Sequence, residues 1–103
     1  MAAGVIAKGL YIKGELRGEE DLIVEGVVEG TVSMQKSLTV ETGGKIVANI
    51  ETENITIRGE VEGDLLARDK ITIHAGAKVI GDMKAPRLEI EDGAYYRGNI
   101  TMS

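Results

Sequence analysis

A short phrase returns along the chain at nearly constant spacing. It reads Leu22-Ile-Val-Glu-Gly26, then Leu38-Thr-Val-Glu41, Ile55-Thr-Ile-Arg-Gly59, Ile71-Thr-Ile-His-Ala-Gly76 and Leu88-Glu-Ile-Glu-Asp-Gly93, with Leu10-Tyr-Ile-Lys-Gly14 read as an earlier sixth copy. The anchors at 10, 22, 38, 55, 71 and 88 lie 12, 16, 17, 16 and 17 residues apart. A second phrase follows each of the last five anchors: Val28-Glu-Gly30-Thr-Val32, Ile46-Val-Ala48-Asn-Ile50, Val61-Glu-Gly63-Asp-Leu65, Val79-Ile-Gly81-Asp-Met83 and Tyr96-Arg-Gly98-Asn-Ile100. Both phrases alternate apolar and polar residues with period 2, as strands do. Ile, Val and Thr supply 28 of the 103 residues, the β-branched excess that strands favour. Helical spacing is nowhere sustained. One unit of about 17 residues cannot bury its apolar side alone, whereas copies stacked in register can, which is the logic of a solenoid.

Registering the copies produces columns. Leu22, Leu38, Ile55, Ile71 and Leu88 form one inward column, and Val24, Val40, Ile57, Ile73 and Ile90 the next. Val28, Ile46, Val61, Val79 and Tyr96 form a third, and Val32, Ile50, Leu65, Met83 and Ile100 a fifth. The fourth, between them, is always tiny: Gly30, Ala48, Gly63, Gly81 and Gly98. It fits a bend, or a close approach of two sheets, where a Cβ would clash. A weaker sixth column holds Met34, Thr52, Ala67 and Ala85. Gly26, Gly59, Gly76 and Gly93 fall at the corner after the first strand, where positive φ is expected. The expected fold is an all-β, single-stranded parallel β-helix of about six turns, with residues 1–5 as a short tail and residues 6–102 as the domain.

Composition removes other classes. There is no cysteine, so disulfide scaffolds, thiol catalysis and Cys-ligated metal sites are excluded. Only three residues are aromatic, all tyrosine, so the core is aliphatic. A net charge of −5 with scattered basic residues argues against direct nucleic-acid binding. No apolar run approaches the roughly 18 residues of a membrane-spanning helix. No cofactor or metal site is expected.

A β-solenoid without caps has two open ends, each offering unpaired backbone groups and a slice of apolar core. The repeats occupy residues 10 to 102 and leave little to cover either end. Ile6, Leu10 and Ile12 are the candidate contact residues at the N-terminal end. Leu88, Ile90, Tyr96, Ile100 and Met102 are those at the other, where Tyr96 is the one aromatic in a core column. End-to-end stacking would continue the core from molecule to molecule and give a filament, polar or non-polar according to which ends meet.

At this point the sequence resembles the bactofilins, a family of bacterial cytoskeletal proteins. The resemblance rests on Gly14-Glu-Leu-Arg-Gly18, Asp21-Leu-Ile-Val-Glu-Gly26-Val-Val-Glu-Gly30, Gly59-Glu-Val-Glu-Gly63-Asp64, Gly81-Asp-Met-Lys-Ala-Pro86 and Glu91-Asp-Gly93-Ala-Tyr-Tyr96-Arg-Gly98-Asn99. It runs from about Ile6 to Met102. It implies a right-handed, triangular β-helix that polymerises end to end, without nucleotide, into non-polar filaments. Such filaments support cell shape and position cell-wall enzymes or chromosome-segregation proteins, in the cytoplasm or at the inner face of the membrane. The resemblance also implies that an aromatic near the C-terminal end of the core supports polymerisation, and the matching residue is Tyr96. Members with a membrane-binding N-terminal segment or proline-rich tails are known in the family, and this sequence shows neither pattern.

The rival reading is a left-handed, hexapeptide-repeat acyltransferase. Apolar or small residues do recur every six positions from Leu10 to Ile46 and from Ile55 to Val79, but a nine-residue step separates the two runs. Such an enzyme needs a histidine as general base. His74 is the single candidate, and as the neighbour of inward Ile73 it is expected at the surface in the column of Glu25, Glu41, Arg58 and Glu91. Met83-Lys84-Ala85-Pro86 suggests a biotinyl or lipoyl carrier, yet Lys84 falls on an ordinary outward position without the acidic context of such sites. Gly43-Gly44-Lys45 lacks the spacing of a phosphate-binding loop.

Overall fold

The computed structural model describes residues 4–102. These residues form thirteen strands and no helix. In chain order they are β1 (Gly4–Ile6), β2 (Tyr11–Gly18), β3 (Leu22–Val24), β4 (Val27–Met34), β5 (Ser37–Val40), β6 (Lys45–Ile57), β7 (Glu60–Glu62), β8 (Leu65–Ile73), β9 (Lys78–Ile80), β10 (Met83–Ala85), β11 (Arg87–Ile90), β12 (Tyr95–Arg97) and β13 (Ile100–Met102). Every pairing is parallel and joins a strand to its counterpart one turn along. The chain therefore winds as a three-sided solenoid of about six turns. Long strands such as β6 pass around a corner and serve two sides. The longest dimension is 28 Å.

The register reproduces the expected columns. Leu22, Leu38, Ile55, Ile71 and Leu88 stack, as do Val28, Ile46, Val61, Val79 and Tyr96. Val24, Val28, Val40, Ile57, Ile71 and Ile73 have no exposed surface at all. Burying each such side chain contributes roughly 1.5–3 kcal/mol. Thr52 is the single buried polar residue among those described, and its hydroxyl donates to the Asn54 carbonyl at 3.0 Å. That bond removes the cost of an unmatched hydroxyl in the core.

The first turn differs from the expectation. Leu10-Tyr-Ile-Lys-Gly14 is not a copy of the first phrase. Tyr11 stands beside Val27, Ile12 beside Val28 and Gly14 beside Gly30, so this segment belongs to the second phrase. The first-side strand of turn one is β1, with Gly4, Val5 and Ile6 beside Leu22, Ile23 and Val24. Among the described residues the first strand of the solenoid begins at Gly4, two residues ahead of Ile6. The aberrant spacing of 12 among the anchors was the trace of this exchange.

The glycines divide by mechanism. Corners after the first side come in two lengths. The longer ones (Ala7–Leu10, Glu41–Gly44, His74–Ala77, Glu91–Ala94) each close with an N–H to C=O bond of 2.9–3.2 Å, and their third residue is a glycine with φ between +85° and +93°. This is the second central position of a type II turn, which a side chain resists. The shorter corners use Gly26 and Gly59, for which positive φ was expected; neither has it. They are glycines because a Cβ would run into backbone carbonyls of the longer corner beneath. The tiny column is a bend, not a meeting of two sheets. At Gly81, with φ +133°, a Cβ would fall on the carbonyl oxygen of Gly63 in the turn below.

Candidate polymer interface

The two ends of the solenoid follow from its pairing. Among the described residues, β1 and β2 pair on one side only, with β3 and β4. At the other end, β11, β12 and β13 pair only with β8, β9 and β10. Among the described residues each terminal turn therefore presents a strand edge without a partner, with the core columns running up to it.

The five residues expected at the C-terminal end all lie in the last turn, spread over its three sides. Leu88 caps Ile71, Ile90 caps Ile73, Tyr96 caps Val79, Ile100 caps Met83 and Met102 caps Ala85. Leu88, Ile90 and Ile100 are half-buried, whereas Tyr96 is 45% and Met102 57% exposed. The same column positions are fully enclosed one turn earlier. The five residues keep the inward register of the turn before, and among the described residues no strand lies over them.

The N-terminal candidates separate. Ile12 is half-buried over Val28 and faces the open end. Ile6 is already 4% exposed within the single chain, and Leu10 sits at the first corner, 51% exposed, outside the strand columns. Leu16, half-buried beside Val32, completes the apolar patch with Ile12 and was not among the candidates. Its signal was present: Ile12-Lys-Gly14-Glu-Leu16 fits the second phrase.

Charges line the corners in ladders along the axis. Arg58 Nη1 meets Glu41 at 3.0 Å, Lys70 Nζ meets Glu89 at 2.7 Å and Arg87 Nη2 meets Asp69 at 2.5 Å, each one turn apart. Such exposed pairs contribute roughly 0–1 kcal/mol apiece, so the buried columns and not these pairs hold the turns together. His74 lies in the expected column and places Nδ1 3.1 Å from Glu91 Oε1. The Ala75 N–H donates to the same carboxylate oxygen at 3.0 Å. That backbone bond first, and His74 second, hold the Glu91 carboxyl below its usual range. His74 is thus engaged at a corner of the rod, with its imidazole turned to a neighbouring turn. Lys84 is exposed on the outward position of β10, as expected. Among the described residues no group of three or more His, Asp or Glu could hold a metal ion. No helix is long and apolar enough to cross a membrane.

Comparison with known proteins adds the deciding observation. The sequence model of the family described as "Bactofilin: Polymer-forming cytoskeletal" matches residues 4–101. The chain is a member of the bactofilin family. It is 60% identical over 99 residues to "Bactofilin BacN" of Myxococcus xanthus, covering 96% of this chain and 88% of that one. It is 45% identical over 102 residues to "Bactofilin BacO" of the same organism, covering 99% and 81%. "Bactofilin BacP", also from Myxococcus xanthus, is 37% identical over 98 residues, which are 95% of this chain and 41% of that longer protein. No solved structure is a significant match. The match begins at Gly4, where β1 begins. As a bactofilin, the chain is a structural, self-associating protein and not an enzyme, and the acyltransferase reading is not favoured.

Proposed function

We propose that this bactofilin polymerises end to end, without nucleotide, into non-polar filaments. The observation that carries the reading is the pair of terminal turns: among the described residues their strands pair on one side only, around apolar columns. The driving force resides in edge pairing and burial of Ile12 and Leu16 at one end, and of Leu88, Ile90, Tyr96, Ile100 and Met102 at the other. Neither contribution draws on a bound nucleotide. Like-with-like contact uses a two-fold axis at each joint, so the same patch meets itself and the fibre has no direction. The filament serves as a scaffold in the cytoplasm, or at the inner face of the membrane. It supports cell shape and positions cell-wall enzymes or chromosome-segregation proteins along its length.

Negative-stain microscopy of the purified chain in nucleotide-free buffer tests this. Filaments one solenoid wide are the expected result. A closed oligomer, or a monomer at high concentration, overturns the reading.

A further inference from the structure

Seven large apolar side chains are exposed among the described residues. Six of them lie in the terminal turns: Val5, Leu10 and Tyr11 in the first, and Tyr95, Tyr96 and Met102 in the last, where Tyr96 and Met102 are inward positions with no further turn over them and the others sit outward or at a corner. Leu66 does not fit that account. It is 38% exposed on β8, in the fourth turn, between Glu51 of the third and Lys84 of the fifth.

Leu66 also lies in a concavity of about 550 Å³ along the third side of the rod. One wall is the outward row that includes Glu51, Leu66 and Lys84; the other is the row just past the glycine bend, with Asn49, Asp64 and Asp82. The furrow runs from the second turn to the sixth, and four strand spacings make it roughly 19 Å long. An extended peptide of about six residues spans that length. Neither Asp64 nor Asp82 is ion-paired among the described residues. Asp82 accepts the Asn99 N–H at 3.3 Å and has Lys84 two positions away, so Asp64, beside Leu66, is the less compensated carboxylate. Glu51 is already matched by Arg68 at 3.6 Å.

We propose that this furrow is a docking site for a short, extended, basic-and-aliphatic peptide segment of another protein, with an aliphatic side chain on Leu66 and a cation at Asp64. Charge decides against a second copy as occupant. The chain carries a net −5, so two rods repel at the approach that a cationic segment favours. The furrow is centred on the fourth turn and lies along the flank of the rod, reaching the last turn only at Thr101, so an occupant there leaves the end-on strand edges free.

The test uses a fluorescein-labelled octapeptide of alternating leucine and lysine, titrated by anisotropy against the whole chain carrying Tyr96→Arg. Saturable binding is expected. Replacing the peptide's leucines by serine, or its lysines by glutamate, weakens it by about tenfold or more. On the protein, Leu66→Thr keeps a strand-forming outward residue and weakens binding about tenfold, while Leu66→Ile stays within about twofold. Asp64→Asn weakens binding and flattens its salt dependence. Equal binding by the Leu66→Thr chain, with its β circular dichroism intact, overturns the proposal. So does no saturable binding up to about 1 mM. If Leu66→Thr instead abolishes rod–rod light scattering in the unsubstituted background while peptide binding persists, the furrow is a contact between copies and the proposal fails.

Discussion

Changing Tyr96 to arginine separates the two ways in which these rods could join. Tyr96 caps the column of Val79 and is 45% exposed in the single chain. A tyrosine exposes about 200 Å² when free, so about 90 Å² remains to be buried at a joint. At about 25 cal/mol per Å² that is roughly 2 kcal/mol per side chain. A two-fold joint contains the residue twice, so its loss costs about 4–5 kcal/mol, or about three orders of magnitude in the joint's dissociation constant. An arginine adds the penalty of burying its charge, several kcal/mol more. In a like-with-like fibre only the C-terminal joints contain Tyr96, and the N-terminal joints survive. Analytical ultracentrifugation should then show dimers of twice the 11.0 kDa chain mass, with an unchanged β circular dichroism spectrum. Leu16→Arg should also give dimers, joined through the other end, and the double variant should give monomers. Monomers from Tyr96→Arg alone would refute the two-fold joint in favour of head-to-tail stacking. Filaments of unaltered length would refute the C-terminal interface itself.

Three further outcomes are expected. Gly81→Ala, in the soluble Tyr96→Arg background, should lower urea-unfolding stability by roughly 4 kcal/mol, since it combines a clash with the Gly63 carbonyl and a φ of +133°; Gly14→Ala, with φ +135° but nothing within 4 Å, should cost about half as much. Lateral association of filaments, followed by light scattering, should rise between low and about 0.5 M salt, because screening weakens repulsion between rods of net charge −5. Glu91 has a folded pKa below the ordinary 4.5, so its bonds stabilise the chain above that value and are lost as pH falls through the lowered one. The stability gap between the wild type and Glu91→Gln should accordingly be full at pH 7 and close in the acid range below 4.5, as read by thermal melts.

The middle of the rod was legible in the sequence because each column is a repeated physical demand. Leu22, Leu38, Ile55 and Ile71 answer one buried position four times over, so any one of them could have been ambiguous without loss. The first turn lacked that redundancy. Gly4-Val5-Ile6 does not look like Leu22-Ile-Val24, because Gly4 occupies a column that is otherwise leucine or isoleucine. Leu10-Tyr-Ile12 resembles the first phrase more closely than Gly4-Val5-Ile6 does, which hides Leu16 in the second. Corner chemistry was half legible. Glycine announces a turn, but not whether positive φ or a carbonyl underneath demands it; Gly76 and Gly26 look alike in sequence and differ in cause. The furrow around Leu66 was invisible, since its walls come from residues in five different turns.

The two corner lengths have a consequence for how such a rod can change size. Gly26 and Gly59 belong to short corners, each seated on a longer one whose carbonyls leave no room for a side chain. Short therefore follows long over the first four turns, and the first-side residues that lead into like corners, Leu22 and Ile55 or Leu38 and Ile71, are 33 apart, whereas in the last two turns a long corner is seated on a long one. Adding or deleting one turn among these four would seat like corners on each other and break this fit. Adding or deleting two turns would keep it. Within the alternating turns the natural increment of length is a block of 33 residues, worth roughly 10 Å of rod, and protein design should lengthen this core in that step.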